Sequence, residues 1–272
     1  STYSTLLRPK YCASARPAPA GFAARQLAAR VIAAVIEQRR PFEDALARAS
    51  AGIADIEPRD RAFSRMIIST VLRRHGELAA VLKSFLSKPL PESRGDLWPI
   101  LLSASAQLLM LETPPHAAIS MAVDQCHADP HARHFAGLAN AVLRRVATEG
   151  PAILAGLDAV TLNIPGWMLK RWGGHYGSEL ARQVGQACLR EAALDISLKS
   201  SPEDWAARLG GRLLPTGSIR LAAGGRIEEL AGYADGAWWV QDAAAALPAR
   251  LLGNVAGLEI ADLCAAPGGK TA

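Results

Sequence analysis

Disulfide and metal frameworks are the first features that this sequence lacks. Its 272 residues include only four cysteines, and no two have the spacing of a zinc ribbon or a redox CxxC motif. They stand far apart, at Cys12, Cys126, Cys188 and Cys264. A chain of this length can bury a core without cross-links, so a disulfide scaffold is excluded. We therefore expect a protein of the reducing cytoplasm.

Long apolar runs are also missing. The longest, Leu97–Leu111, is shorter than the ~20 residues that a membrane helix needs, and Pro99 interrupts it. Residues 1–20 contain no apolar segment of the kind found in secretory signals. We therefore expect no membrane span. With 50% apolar and 20% charged residues, the chain is neither globally disordered nor a coiled coil, and its length predicts two domains.

Positive charge is concentrated in the first half. Residues 1–150 hold 19 of the 30 basic and 13 of the 25 acidic residues, a net charge of +6, whereas residues 151–272 carry −1. Residues 1–40 contain seven basic residues and a single acidic one, Glu37. Such a stretch is typical of contacts with the phosphates of a nucleic acid, although a solvated tail and helix face would look the same. If it binds RNA, Arg16, Arg25 and Arg30 are the candidate contacts.

The first half has the apolar spacing of an all-α bundle. Leu27, Val31 and Val35 form an i, i+4 stripe, and Leu97–Leu111 is apolar nearly all round, which indicates a buried helix. Gly76 predicts a break between two of the helices. Helices are predicted over residues 22–38, 41–49, 58–74, 78–86, 97–111, 117–127 and 135–147.

The pattern changes after Gly150. Helices are predicted over residues 165–172 and 179–191, and then Leu194–Lys199 alternates with the period of a strand. Ser201 and Asp242 are placed to cap short helices, and three further strands are predicted over residues 212–214, 219–221 and 237–240. This second region is therefore a small α/β module. At its end, Leu258–Leu263 has the composition of a buried strand.

The segment after that strand carries the most chemical information. It contains an acid, Asp262, then small residues, two glycines, and Lys270 and Thr271 at the expected start of a helix. Small residues let the backbone approach a ligand, and amides at a helix N-terminus favour an anionic group. The candidate ligand-binding residues are Cys264, Ala265, Ala266, Pro267, Gly268, Gly269 and Lys270.

Three other kinds of segment have similar sequence features. A P-loop requires a glycine where Cys264 stands, and the dinucleotide pattern GxGxxG does not fit either. An ordinary strand-to-helix turn is the third alternative. However, such a turn rarely combines an acid, two alanines, Pro267 and a Gly-Gly pair within eight residues.

The order of several motifs resembles that of a known family. Residues Asp262–Thr271 resemble motif I of the RNA cytosine-5 methyltransferases, and Trp238–Asp242 resembles the segment preceding that motif. Ile164–Met168 is similar to the linker between the two halves of those enzymes. Asp60–Phe63, Pro114–Ala118 and Asn140–Arg145 are similar to the NusB-like domain of the bacterial RsmB/Sun-type enzymes. The resemblance covers nearly all of residues 22–272.

This resemblance implies a reaction, a cofactor and a partner. In the family, a cysteine thiolate attacks carbon 6 of a cytosine in ribosomal RNA, carbon 5 takes a methyl group from S-adenosylmethionine, and a second cysteine assists release. Both family cysteines lie well downstream of motif I, so we expect a chain truncated just after that motif, with no catalytic residue of its own. The expected partner is ribosomal RNA, bound by a cytoplasmic monomer without a metal. A NusB-like RNA- or protein-binding module without catalysis is the alternative.

The resemblance also implies an organisation. It is mainly α: a basic arm over residues 1–21, a NusB-like RNA-binding bundle over 22–150, linker helices and a small α/β module over 151–240, and the first strand and loop of a Rossmann-like methyltransferase domain over 241–272.

Several residues invite a second role. Cys264 could be a nucleophile at a helix N-terminus, but its position in the motif places it in the cofactor loop. Lys270 lies near cofactor and base in the family, or is simply solvated. The residues Cys126, His127, His131 and His134 match no common zinc spacing, so a polar loop is the default interpretation. The tryptophans 167, 172, 205, 238 and 239 could stack on bases but are expected more often to pack between domains.

Overall fold

The computed structural model describes residues 19–53, 56–222 and 227–272. The chain divides into two compact units, one ending at Leu189 and the other beginning at Arg190. No helix within those ranges is long and apolar enough to cross a membrane.

The first unit is entirely helical in its described part. The helices are α1 (Phe22–Ile36), α2 (Phe42–Ala51), α3 (Pro58–Arg73), α4 (His75–Ser84), α5 (Leu97–Leu109), α6 (Pro115–Ala128), α7 (Ala136–Ala155), α8 (Ala159–Asn163), α9 (Gly166–Tyr176) and α10 (Ser178–Cys188). Nine of these ten helices overlap the ranges predicted from apolar spacing, but α7 continues to Ala155, beyond its predicted end at Ala147, and α8 was not predicted. A short 3-10 helix, Ala132–Phe135, precedes α7.

Helix α5 runs through the middle of this bundle. It packs against α1, α3, α4, α6 and α7, and Leu97, Leu101 and Leu102 are fully buried, as its uniform apolarity predicts. Its buried Gln107 accepts a hydrogen bond from Arg25 Nε at 2.7 Å and donates to the Ser103 carbonyl at 3.1 Å. Buried polar groups are costly unless they are hydrogen-bonded, so this pairing is what permits a glutamine there.

The break predicted at Gly76 lies elsewhere. Helix α3 ends at Arg73 and α4 begins at His75, so Gly76 is inside the first turn of α4. A Cβ atom on Gly76 would stand 1.9 Å from the Leu162 carbonyl oxygen, and its N–H donates to Asn163 Oδ1 at 2.8 Å. The glycine therefore allows α4 and α8 to touch, a long-range requirement that its immediate neighbours in the sequence do not reveal.

Gly76→Ala is expected to lower the free energy of unfolding by about 1–3 kcal/mol, because the new methyl group overlaps fixed backbone. Gly137→Ala is the matched control, since Gly137 is also the second residue of a helix and its Cβ would meet nothing within 4 Å. That control should be neutral or slightly stabilising. Urea unfolding of both variants is the measurement, and equal midpoints would contradict the close contact.

The second unit contains a four-stranded antiparallel sheet. Its strands are β1 (Leu194–Leu198), β2 (Arg212–Leu213), β3 (Ile219–Leu221) and β4 (Trp238–Val240), in the order β2-β3-β1-β4. Ile196 of β1 pairs with Ile219 of β3 and Val240 of β4. The buried side chains of Ile196, Ile219, Leu221 and Trp238 form its core. Helix α11 (Pro202–Leu209) packs against β2 and β3, and α12 (Ala243–Leu251) against β1.

The two predicted helix caps have different outcomes. Asp242 accepts hydrogen bonds from the Ala244 and Ala245 amides at 2.8 and 3.2 Å, so it caps α12 as predicted. Ser201 precedes α11 but its side chain makes no capping hydrogen bond, and its backbone lies in the left-handed region at φ +50°. The left-handed backbone at Ser201 is the local feature that the sequence pattern did not indicate.

The strand predicted over Leu258–Leu263 does not form. These residues have irregular backbone, and the side chains of Leu258, Ile260 and Leu263 are exposed. A strand exists only through hydrogen bonds to a neighbour, and the sheet seen in the described part of the chain does not reach this segment. Composition alone therefore indicated a strand that lacks a partner.

Asp195 joins three elements of the second unit. The carboxylate is 3% exposed and accepts two hydrogen bonds from Arg220 of β3, at 2.7 and 2.8 Å. It also accepts one from the Ala243 amide, at 3.1 Å, where α12 begins. The hydrogen bonds from Arg220, followed by the one from Ala243, lower the pKa of Asp195 below its usual value.

Asp195→Asn is expected to lower the free energy of unfolding of the second unit by about 1–2 kcal/mol at pH 7. This loss is at the low end of those measured for buried hydrogen-bonded charges, because Arg220 is partly exposed to solvent. In the original chain this stabilisation is present above about pH 4, the pKa of an unfolded aspartate, and is lost as pH falls through the lower folded pKa. The variant should lack that acid-dependent loss. Hydrogen exchange of the β1 amides against pH measures it, with the exposed Asp235→Asn as the control.

Candidate functional site

The predicted ligand loop lies at the surface of the second unit. The residues from Cys264 to Pro267 are exposed, and Gly268 and Gly269 are half-buried. Thr271 Oγ1 donates to Asp262 Oδ2 at 2.7 Å, which ties the two ends of the loop together. The Ala272 amide donates to the Gly268 carbonyl at 2.9 Å, so the backbone turns sharply after the glycines.

A side chain of β4 and one that directly follows β4 hold this loop in place. Trp239 Nε1 and Gln241 Nε2 both donate to the Gly269 carbonyl, at 3.2 and 2.5 Å. Gln241 is itself oriented by Ser197 of β1, whose hydroxyl donates to Gln241 Oε1 at 2.6 Å. The sequence pattern placed Trp239 and Gln241 in a motif that precedes the loop, and it offered Trp239 as a residue for base stacking or domain packing, but it gave neither of them a contact with the loop. The structure assigns them a physical role, because they position the loop backbone.

Gly268 has a backbone that favours glycine. Its φ of +98° lies in the left-handed region, and a Cβ atom there would meet nothing within 4 Å. The space beside it is therefore open to a ligand. Lys270 is exposed and forms no hydrogen bond or ion pair with the described part of the chain. Small side chains, an open backbone and one free cation fit an anionic or zwitterionic ligand such as an amino-acid carboxylate.

The three arginines predicted to bind RNA occupy different environments. Arg16 lies outside the described residues. Arg25 is 8% exposed, its guanidinium lies 4.9 Å from the centre of the Phe63 ring, and burial lowers its pKa. Arg30 is exposed on α1. The structure therefore gives Arg25 a place inside the bundle, and only Arg30 of the described pair is open to a polyanion.

The described cysteines and histidines do not form a metal centre. No group of three histidine, cysteine or acidic side chains in the ranges given above is arranged to hold a metal ion. Cys126 is fully buried on α6, and burial raises the pKa of its thiol to about 12. Cys188 is exposed on α10 in the first unit, whereas Cys264 is in the second. The residues considered as a metal cluster in the sequence are thus partly core and partly surface.

The tryptophans do not act as one group. Trp238 is buried in the sheet core and donates to the Ala231 carbonyl at 2.8 Å, whereas Trp167 is 66% exposed. The Trp205 ring lies beneath the Arg208 guanidinium at 4.2 Å. Packing within a unit accounts for Trp205 and Trp238, and Trp239 contacts the ligand loop.

Comparison with known proteins finds a family model that matches the helical part of the chain and relatives that align with nearly all of it. The NusB family model matches residues 23–148. The chain is 35% identical over 270 residues to "Ribosomal RNA small subunit methyltransferase B" of Xanthomonas campestris, an alignment that covers 95% of this chain and 60% of that protein. The proteins of the same name from Xylella fastidiosa (Temecula1) and Salmonella paratyphi C are 34% and 30% identical, over 93% and 91% of this chain and 59% of each.

The chain is a homologue of ribosomal RNA small subunit methyltransferase B and carries a NusB domain. It spans about 60% of the length of these curated relatives. Among solved structures, "Crystal Structure of PH0851" superposes with a TM-score of 0.57 at 18% identity, covering 94% of this chain and 60% of that one. At that identity the superposition supports the fold alone. The resemblance inferred from the motifs is therefore confirmed at the level of this methyltransferase B homology.

Gln241→Glu tests the anchoring of the loop in this methyltransferase B homologue. The carboxylate keeps the acceptor for Ser197 but replaces the donor to Gly269 with a second oxygen, so only the hydrogen bond from Trp239 still holds the loop and the loop should loosen. The hydrogen-bonded amides of Gly268 and Ala272 should exchange about fivefold faster or more, the value of one ordinary hydrogen bond. Asn254→Asp is the control, because Asn254 Oδ1 accepts from the Ala256 amide and the acid can do the same. Unchanged exchange in Gln241→Glu would contradict the anchoring role.

Proposed function

We propose that this chain is the RNA-binding and cofactor-contacting part of a cytoplasmic enzyme that methylates carbon 5 of a cytosine in ribosomal RNA. The observation that carries the proposal is the Gly269 carbonyl, held by Trp239 and Gln241, in a loop whose sequence resembles methyltransferase motif I. The homology to methyltransferase B supports the same activity.

Residues Cys264–Lys270 would hold S-adenosylmethionine, which supplies the methyl group when it is bound. Gly268 and Gly269 let the backbone approach the ligand, and the Lys270 ammonium can pair with a carboxylate. Gln241 and Trp239 keep the loop in position, so less conformational entropy is lost on binding. These residues bind and orient, and none of them transfers a proton in this proposal.

No described cysteine is suited to attack a cytosine. The Cys126 thiol is buried with a raised pKa, so it is not a thiolate near neutral pH. Cys188 is on a helix of the first unit, and Cys264 belongs to the ligand loop. We therefore assign binding, and no catalytic nucleophile, to the described residues, so that RNA binding without catalysis is the function expected of them by themselves.

Gly268→Val should abolish binding of S-adenosylmethionine by the full-length protein that contains this chain. The branched side chain fills the open space beside the loop and cannot adopt φ +98° without strain. Gly253→Val is the matched control, since Gly253 is also at positive φ, +67°, with nothing within 4 Å. Isothermal titration calorimetry is the measurement. Equal affinity in both variants would overturn the assignment of the loop.

RNA binding by the helical unit should weaken steeply with salt, because the contacts are mainly to phosphate. Arg30→Glu should weaken it further and reduce the salt dependence, and charge reversal at Arg16 should act in the same direction. Arg25 is not a suitable test, since a glutamate there would disrupt the pair with Gln107 and destabilise the bundle. The exposed Arg190→Glu is the control. Filter binding to structured ribosomal RNA checks this, and an affinity independent of salt would contradict it.

A further inference from the structure

A basic pocket lies beside the loop that joins α4 to α5. We call it the α4–α5 pocket: a cavity of about 400 Å³ lined by Lys83, Lys88, Arg94 and Trp98, with Leu86 and Leu90. Its volume falls in the range of small-ligand sites. None of these residues belongs to the motifs described above.

The charges of the pocket are all of one sign. None of the lining residues is acidic. Arg94 is held by Glu37, with Nη2 to Oε1 at 2.6 Å, whereas Lys83 and Lys88 are exposed and have no hydrogen-bond or ion-pair partner within the described ranges. The Nε–H donor of Arg94 is buried without an acceptor there. Unpaired cations and an unused donor among the lining residues favour an anionic ligand.

The aromatic wall adds a second requirement. Trp98 is half-buried and packs against the helical core together with Leu86 and Leu90, so its ring is fixed. The loop itself is anchored where α5 begins, because the Asp96 amide donates to Asp129 Oδ2 at 3.1 Å. A rigid indole beside two free ammonium groups can accept a planar ring and a phosphate at the same time.

We propose that the α4–α5 pocket binds one nucleotide of single-stranded RNA, with its base against Trp98 and its phosphate between Lys83 and Lys88. A nucleotide can contact the cations with its phosphate and the Trp98 indole with its base, whereas an acidic peptide would contact only the cations. The proposal rests on the RNA binding proposed above but concerns a different surface from Arg30. It assigns to the helical unit a contact with a base as well as with the phosphate backbone.

The test is fluorescence anisotropy of a labelled single-stranded ribo-oligonucleotide with the 272-residue chain, measured over a range of salt. Lys83→Gln and Lys88→Gln should each lower the slope of log affinity against log salt by about 0.7, the value for one phosphate contact on a single strand. Trp98→Leu should weaken binding on the order of tenfold and leave the slope unchanged. Lys170→Gln, an exposed lysine on α9, is the control.

Each outcome decides something different. If Lys83→Gln, Lys88→Gln and Trp98→Leu all bind like Lys170→Gln, the pocket is not an RNA site and this proposal is overturned, while the RNA binding of the unit stands. If the original chain binds no oligonucleotide and no ribosomal RNA, the proposed function fails with it. Circular dichroism checks folding. If Trp98→Leu does not fold, Lys83→Gln and Lys88→Gln alone test the proposal, because replacing an exposed side chain should leave the fold intact.

Discussion

The burial of α5 is the constraint on which the helical unit depends. A helix that is apolar on every side must be surrounded, and five other helices of the unit do so. Its polar residues then have to find partners inside the bundle, which is why Gln107 is paired with Arg25 of α1. The first helix is therefore fixed to the central one by a buried hydrogen bond as well as by apolar contact.

The same constraint decides which basic residues remain available to a ligand. Arg25 is drawn inward by Gln107 and Phe63, while Arg30, just over one turn further along α1, stays at the surface. At the other end, the start of α5 fixes Trp98, and the preceding loop brings Lys88 and Arg94 beside it. The basic character of the first half thus separates into a structural part and a surface part.

The second unit is organised around polar contacts rather than around a large core. Asp195 links β1 to β3 and to the first turn of α12. Ser197, on the same strand, orients Gln241, which holds the ligand loop through Gly269. Two residues separated by a single position on β1 therefore support the sheet and the candidate site, because alternate side chains of a strand share one face.

Much of this architecture was determined by the sequence alone. The apolar periodicity placed all the helices of the first unit except α8, and the alternation over Leu194–Lys199 placed β1. Asp242 marked the start of α12, and the motif order indicated the methyltransferase B family. These are local signals that neighbouring residues carry. The tertiary structure alone decided that Gly76 lies inside α4 against Leu162, that Arg25 is buried, that Leu258–Leu263 has no strand partner, and that Gln241 holds Gly269. Each of these depends on a group distant in the sequence, and a contact with such a group exists only once the chain has folded.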